Sequence, residues 1–184
     1  MNEFTVSIII GSIRPARMGD KVAVAIKNHM EKKGYKINLI DPMKIAELQT
    51  LKIPNQYNPN PSEEMKNVSR MLAESQGFLL VTPEYNHSFS GTIKNVIDNF
   101  MPEYSKKPFV IASYSAGSFG GIRANEALRP VISELGGFVV PTPFILPNVN
   151  EAFNESGEFK DTSNYARLDK LLEEFSYYLK TVGK

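Results

Sequence analysis

A short loop near the amino terminus carries the residues best suited to bind an anion. The segment Gly11 to Gly19 reads Gly-Ser-Ile-Arg-Pro-Ala-Arg-Met-Gly and follows an apolar run. It should open a helix, whose unpaired N–H groups and positive dipole end favour a phosphate. Ser12 offers a hydroxyl, and Arg14 and Arg17 can fork onto phosphate oxygens. The loop fits neither G-x-x-x-x-G-K-[ST] nor G-x-G-x-x-G. The alternative is a plain turn whose arginines face solvent.

Two later loops are also rich in chemically useful or small residues. One runs from Pro83 to Ser90 and the other from Ser115 to Gly121. The loop from 115 to 121, the third along the chain, approximates the nucleophile elbow of α/β hydrolases, with Ser118 as the candidate nucleophile. That design needs a histidine after the serine in chain order, and no histidine follows His87. A hydrolase of this type is therefore excluded.

The scarcity of histidine and the absence of cysteine restrict the possible chemistry. The chain has two histidines and no cysteine, which removes thiolate nucleophiles, sulfur-ligated zinc and iron–sulfur centres. Two histidines cannot build a multi-histidine metal site, so no metal is expected. His87 lies in the second loop, where a contact with substrate and a solvent-facing position both stay open. His29 is expected to be structural.

Size and charge favour one ordinary globular domain spanning residues 1–184. The formal net charge is +1, so no overall field attracts DNA or an acidic membrane. The first ten residues resemble neither a signal peptide nor a membrane span. We therefore expect a cytoplasmic protein without nucleic-acid or membrane partners.

Short runs rich in β-branched residues alternate with segments of helical period, which is typical of a parallel sheet with crossover helices. Strands are predicted over 4–10, 35–40, 78–81, 108–114 and 138–140. Helices are predicted after each strand, with Ser62 and Ser90 as N-caps of the second and third. The result is a three-layer α/β sandwich. Such sheets bind ligands at the carboxyl ends of their strands, where all three unusual loops lie.

Three motifs in consistent order resemble the NADPH-dependent FMN reductase family. They are the GS-x-R loop at 11–14, PEYN at 83–86 followed by KNxID at 94–98, and S-x-G-x-x-G-G at 115–121. The resemblance extends from Val6 to about Pro141. It implies a flavodoxin-like sandwich with a five-stranded parallel sheet of order 2-1-3-4-5 and helices on both faces.

The resemblance also implies how FMN would be bound. The phosphate would lie on the first loop, against Ser12, Arg14 and Arg17. The second loop would follow the edge and face of the ring system, and the third its pyrimidine side, where N–H groups near N1 and O2 stabilise negative charge. The cofactor-binding residues implied are Gly11, Ser12, Arg14, Arg17, Met18, Gly19, Pro83, Glu84, Tyr85, Asn86, Ser115, Ala116 and Gly117.

The implied activity is hydride transfer from NADPH or NADH through flavin N5 to a small acceptor, in ping-pong fashion. Quinones, azo dyes, nitroaromatics, metal oxyanions and free flavin all remain open as acceptors, and no side chain is expected to act as an acid or base. Arg17 and Arg123 are possible partners of a coenzyme 2′-phosphate. A homodimer or homotetramer, with the helix after Ser90 at the contact, is also implied. The alternatives are a flavodoxin-type electron carrier and a regulatory module without cofactor.

Overall fold

The computed structural model describes residues 4–182. Within them the chain forms strands β1 Thr5–Ile10, β2 Lys36–Ile40, β3 Gly77–Tyr85, β4 Ser88–Phe89, β5 Pro108–Tyr114, β6 Phe138–Val139 and β7 Phe144–Leu146. The helices are α1 Gly19–Lys32, α2 Glu63–Glu74, α3 Gly91–Asn99, α4 Ile122–Glu134 and α5 Ser163–Val182. The predicted alternation of strands and helices is confirmed.

The parallel strands lie in the order β2-β1-β3-β5, and the place beside β5 is shared by β6 and β7. This is the predicted 2-1-3-4-5 arrangement, but the sheet has seven strands rather than five. The fifth predicted strand, 138–140, corresponds to β6, whereas β7 was not predicted. The two strands are separate because Pro141 and Pro143 between them lack the N–H groups that a continuous ladder needs. The other addition is β4, which forms an antiparallel hairpin with the end of β3.

Alternate residues of the central strands are buried against helices on opposite faces of the sheet. Ile8 of β1 belongs to an apolar core with α1 and α5. Its neighbour Ile9 belongs to a second core with α2, α3 and α4. Successive side chains of a strand point to opposite faces, so a run of three isoleucines serves both layers. The predicted three-layer sandwich is confirmed.

The helices differ in whether a side chain caps their first turn. The predicted caps are present, since the hydroxyls of Ser62 and Ser90 accept hydrogen bonds from the N–H groups of Met65 and Ile93, both at 3.2 Å. Helix α1 begins after Met18 with no side-chain cap on that residue, and the N–H groups of Gly19 and Asp20 have no acceptor among residues 4–182. No helix in the part of the chain described by the structure is long and apolar enough to cross a membrane.

Candidate functional site

A cleft of about 350 Å³ opens at the carboxyl edge of the sheet, between the loops that follow β1, β3 and β5. This size lies within the range of small-ligand pockets, and the position is the switch point of strand order. The cleft is lined by Arg14, Pro15, Ala16, Arg17, Met18, Pro83, Glu84, Tyr85, Tyr114, Ser115, Ala116, Val149 and Asn150. The three loops singled out in the sequence therefore do converge on one place.

We call residues Ser12–Met18 the anion loop. Its N–H groups have no acceptor among residues 4–182, whereas the preceding Gly11 N–H donates to the Val81 carbonyl at 2.7 Å. Pro15, which lies within this loop, has no N–H group and so contributes no donor. A run of unpaired amides at the start of a helix is a concentrated array of donors, which suits a phosphate.

The two arginines of the anion loop have different surroundings. Arg14 is exposed, and its guanidinium carbon lies 5.5 Å from the centre of the Tyr85 ring, across the rim of the cleft. Arg17 has only 6% of its side chain exposed and pairs with Asp41 at 2.7 Å. Its other terminal nitrogen donates to the Ser12 carbonyl. Arg14 is thus available to an anion, while the side chain of Arg17 is occupied within the protein.

Burial opposes the charges of the Arg17–Asp41 pair, but the contacts outweigh it. Burial alone would lower the pKa of Arg17, yet the hydrogen bond and charge of Asp41 raise that pKa overall. Burial likewise would raise the pKa of Asp41, but hydrogen bonds from Arg17 and the Met43 N–H leave it below its usual value. Both groups are therefore ionised at neutral pH.

A tyrosine at the end of β5 forms the floor of the anion loop. The Tyr114 hydroxyl lies 3.1 Å from that of Ser12. Burial raises the pKa of Tyr114 to about 12, so the hydroxyl keeps its proton at neutral pH. Helix α1 approaches so closely that a Cβ at Gly19 would lie 2.6 Å from both hydroxyl oxygens. Gly19 is therefore needed for packing beneath the loop.

The loop after β3 is a tight hairpin. Asn86 and His87 are its two central residues, and both have positive φ, 50° and 65°. This is the backbone of a type I′ turn, in which glycine is favoured over histidine at the second position. Both side chains are exposed, and neither lines the cleft. The sequence left a substrate contact of His87 open, and the geometry places the residue at the hairpin tip.

Glu84 connects the hairpin to α4. Its carboxylate accepts hydrogen bonds from the backbone N–H and the side chain of Arg123, both at 3.1 Å. A carboxylate at a helix N-terminus is stabilised by the helix dipole. Arg123 also lies over the ring of Phe119, 4.7 Å from its centre. Arg123, considered for a coenzyme phosphate, thus already has a carboxylate partner.

We call residues Ser115–Gly121 the glycine loop. The Ser115 and Gly117 carbonyls accept hydrogen bonds from the N–H groups of Val149 and Asn148, at 3.0 and 3.2 Å. The N–H groups of Ala116 and Gly117 have no acceptor in the described chain. The part of the loop that lines the cleft, Ser115 and Ala116, therefore has small side chains, and the segment after β7 bonds two of the loop's carbonyls.

The predicted set of site residues lacks six residues of this region: Pro15, Ala16, Asp41, Tyr114, Val149 and Asn150. Tyr114 ends a predicted strand and Asp41 follows one, which is the position from which parallel strands supply ligand-binding residues. Val149 and Asn150 follow β7, which the two prolines concealed. Among residues 4–182, no group of three or more carboxylates and histidines is arranged to bind a metal.

The fold and the cleft together define a flavodoxin-like α/β protein with a cleft at the switch point of its sheet. A model of the NADPH-dependent FMN reductase family matches residues 4–151, and the chain belongs to that family. It is accordingly an oxidoreductase that uses FMN and a nicotinamide coenzyme.

Individual relatives agree with this assignment. The chain is 30% identical to the NAD(P)H-dependent FMN reductase ntnL of Nectria sp, over 77% of this chain and 74% of that protein. It is 28% identical to a quinone reductase of Pseudomonas putida, over 96% of this chain and 95% of that protein. Its fold resembles FerB, a flavoenzyme NAD(P)H:(acceptor) oxidoreductase from Paracoccus denitrificans, with a TM-score of 0.77, 22% identity and coverage of 97% and 98%.

Proposed function

We propose that the protein holds FMN in the cleft between the anion loop and the glycine loop and reduces a small acceptor at the expense of NAD(P)H. The relatives named as a quinone reductase and as an NAD(P)H-dependent FMN reductase make quinones and free flavin the first acceptors to examine. Azo dyes, nitroaromatics and metal oxyanions follow. The observation that carries the proposal is the run of unpaired amides in the anion loop beside an exposed arginine.

The anion loop fits the phosphate end of FMN. Its free N–H groups supply donors for several phosphate oxygens, and Arg14 supplies the positive charge. Ser12, by contrast, already shares its hydroxyl with Tyr114, and Arg17 is paired with Asp41. We assign the phosphate to Arg14 and the amides, and we assign Arg17 to the support of the loop.

The remaining walls of the cleft fit a flat ring. Pro83 and Tyr85 line one side, and the small residues Ser115 and Ala116 line another. The free N–H groups of Ala116 and Gly117 suit the electron-rich pyrimidine edge, where they would stabilise negative charge as it develops. Glu84 is positioned by Arg123 and contributes to the shape of the wall.

Bound FMN supplies the atom that accepts and donates hydride. The chain's own contribution is to hold the phosphate, to keep the ring between the second and third loops, and to place uncharged donors at its edge. No side chain is needed to move a proton, which agrees with the scarcity of histidine and the absence of cysteine. Tyr114 stays protonated and serves as a fixed hydroxyl at the floor.

A reconstitution experiment tests the proposal. The apoprotein is mixed with FMN, and binding is followed by quenching of flavin fluorescence. NADPH or NADH is then added without oxygen, and bleaching of the yellow colour reports reduction. Steady-state consumption of NAD(P)H with benzoquinone as acceptor distinguishes an enzyme from an electron carrier. A protein that binds no FMN, or that binds it but consumes no coenzyme with any acceptor class, contradicts the proposal.

We further propose a homodimer or a dimer of dimers with α3 at the contact. Met101, directly after α3, exposes 42% of its surface, and Ile53 on the neighbouring segment exposes 54%. Asn95 of α3 bonds that segment through the Gln49 carbonyl at 2.7 Å. Exposed apolar side chains surrounded by polar residues are common at interfaces between subunits. Gel filtration showing only monomer at micromolar concentration would argue against this contact.

The cytoplasmic location stays a prediction, which cell fractionation checks.

A further inference from the structure

Arg17 connects two parts of the chain that lie on neighbouring strands. It belongs to the anion loop after β1, whereas its partner Asp41 is the first residue after β2. One terminal nitrogen lies 2.7 Å from the Asp41 carboxylate, and the other donates to the Ser12 carbonyl at the start of the loop. The guanidinium therefore bridges the loop to the neighbouring strand end.

The Arg17–Asp41 pair is largely buried, although Arg17 lies in the wall of the cleft. The side chains of Arg17 and Asp41 are 6% and 12% exposed. The second carboxylate oxygen of Asp41 is also used, since it accepts the Met43 N–H at 3.0 Å. Burying two charges costs several kcal/mol per ion before their attraction is counted, and such pairs are often no more stabilising than apolar residues. Net stability alone therefore gives little reason for this arrangement.

The consequence for the loop is geometric. Binding of the Ser12 carbonyl by Arg17 satisfies an acceptor that would otherwise compete for the loop's own N–H groups or repel an incoming anion. Those N–H groups are unpaired along the loop. Donors that are already oriented bind an anion better than donors that must reorganise, because the ordering cost is met in folding.

We propose that Asp41 is a positioning residue for the phosphate end of the cofactor, acting through Arg17 to hold the anion loop in its binding shape. The inference rests on the proposed binding of FMN. Asp41 does not itself line the cleft but bonds Arg17, which does, so its influence passes through the guanidinium of Arg17 and the Ser12 carbonyl.

A purely electrostatic view predicts the opposite result. Asp41 carries a negative charge close to the proposed phosphate site, and its removal should tighten the binding of a dianion. Under our proposal, Asp41→Asn instead weakens it, because Arg17 loses its anchor and the loop loses its preferred shape. The sign of the change therefore separates the two views.

The experiment compares FMN with riboflavin, which lacks the phosphate. Dissociation constants of both flavins are measured by fluorescence quenching for wild type, Asp41→Asn and Arg17→Lys. We expect each variant to weaken FMN about tenfold, the scale of a hydrogen bond to a charged group, and riboflavin less than twofold. Lysine keeps the positive charge but cannot bond Asp41 and Ser12 together in the same planar geometry.

Asp20→Asn is the matched control. Asp20 is a carboxylate in the first turn of α1 whose oxygen accepts the neighbouring Lys21 N–H. Its charge, like that of Asp41, helps to raise the pKa of Arg17, but Asp41 also hydrogen-bonds the guanidinium, so the pair of variants separates charge from the bond. Neutralisation of Asp20 should leave FMN affinity unchanged or raise it.

Three results would overturn the proposal: Asp41→Asn behaving like Asp20→Asn, a loss shared equally by FMN and riboflavin, or an Arg17→Lys variant with wild-type selectivity. If Asp41→Asn does not fold, the FMN and riboflavin dissociation constants of Arg17→Lys still decide between the two views. Failure of wild type to bind FMN would instead refute the proposed function.

Discussion

The anion loop and the glycine loop lie at the same edge of the sheet but are held in place by different means. In the anion loop the backbone amides are free, and side chains fix the segment from below: Arg17 bonds a carbonyl and Tyr114 bonds a hydroxyl. In the glycine loop the carbonyls of Ser115 and Gly117 are bonded by the backbone of the segment that follows β7. Side chains therefore support one loop, and main chain supports the other.

The difference matches what each loop must present. A charged ligand is best bound by many free N–H groups, so the supporting bonds must come from elsewhere. A flat ring is best approached by a surface without bulky side chains, so glycine and main-chain support are favoured. Substitutions of side chains should accordingly affect the anion loop through ligand affinity and the glycine loop through folding.

The largest expected effect is a loss of stability in Gly121→Ala. Gly121 has a φ of 82°, and a Cβ there would lie 2.9 Å from both the N and the O of Tyr114. Strain and overlap with rigid backbone together should cost about 3 kcal/mol. Denaturant unfolding monitored by circular dichroism measures the change. Gly117→Ala is the control, because nothing lies within 4 Å of its Cβ position, and it should shift stability by less than about 0.5 kcal/mol.

The next effect is on affinity rather than on folding. Arg14 is exposed and has no carboxylate partner among the described residues, so Arg14→Ala should leave the unfolding midpoint nearly unchanged. It should weaken FMN binding by roughly 1.5–3 kcal/mol, the value of a hydrogen bond to a charged group. Riboflavin binding should change little. Arg70→Ala, at an exposed arginine of α2, is the control, and equal effects of the two variants would remove the distinction between the loops.

Tyr114→Phe tests the contact that joins the anion loop to the end of β5. At neutral pH the loss of one buried hydrogen bond to Ser12 should cost about 1 kcal/mol. The raised pKa, about 12 against an ordinary 10, means that the folded protein holds the phenolic proton more tightly than the unfolded chain. This contribution to stability is complete below pH 10 and is lost as the pH rises towards 12.

The difference between wild type and Tyr114→Phe is the quantity to measure. Between pH 10 and 12 it should move in favour of the variant by about 1 kcal/mol per pH unit, because only wild type carries the titrating hydroxyl. Unfolding curves recorded for both proteins at each pH provide the comparison. Parallel curves across this range would show that the hydroxyl is not buried as the structure has it.

Much of this architecture was predictable because local patterns and the fold agree. The β-branched run before Gly11, the caps Ser62 and Ser90, and the glycines after β5 each have local physical causes. The convergence of the three loops then follows from the geometry of parallel strands, whose carboxyl ends share one edge. The composition around Pro141 and Pro143 concealed β7, and with it the residues that support the glycine loop.

The roles of the two arginines were not predictable from the same patterns. Arg14 and Arg17 lie three residues apart in an irregular loop, where no periodicity indicates which one turns inward. The partner that decides the matter, Asp41, is 24 positions further along and reaches Arg17 because β2 pairs with β1. Such a contact depends on strand order, so a sequence pattern shows only that two cations are present.

The smallest expected effect concerns residues with a left-handed backbone conformation, which are of different types in the two loops. Gly120 and Gly121 occupy this conformation in the glycine loop, whereas the anion loop places Ala16 there, with a φ of 52°. Ala16→Gly should relieve strain and raise stability by about 0.5 kcal/mol, since the greater freedom of the unfolded chain offsets part of the gain. Ala116→Gly, at a residue outside the left-handed region, should lower stability by a similar amount. Opposite signs in paired denaturation curves are expected. If Ala16→Gly also weakens FMN binding, the strained alanine helps to keep the amides of the anion loop in place for their ligand.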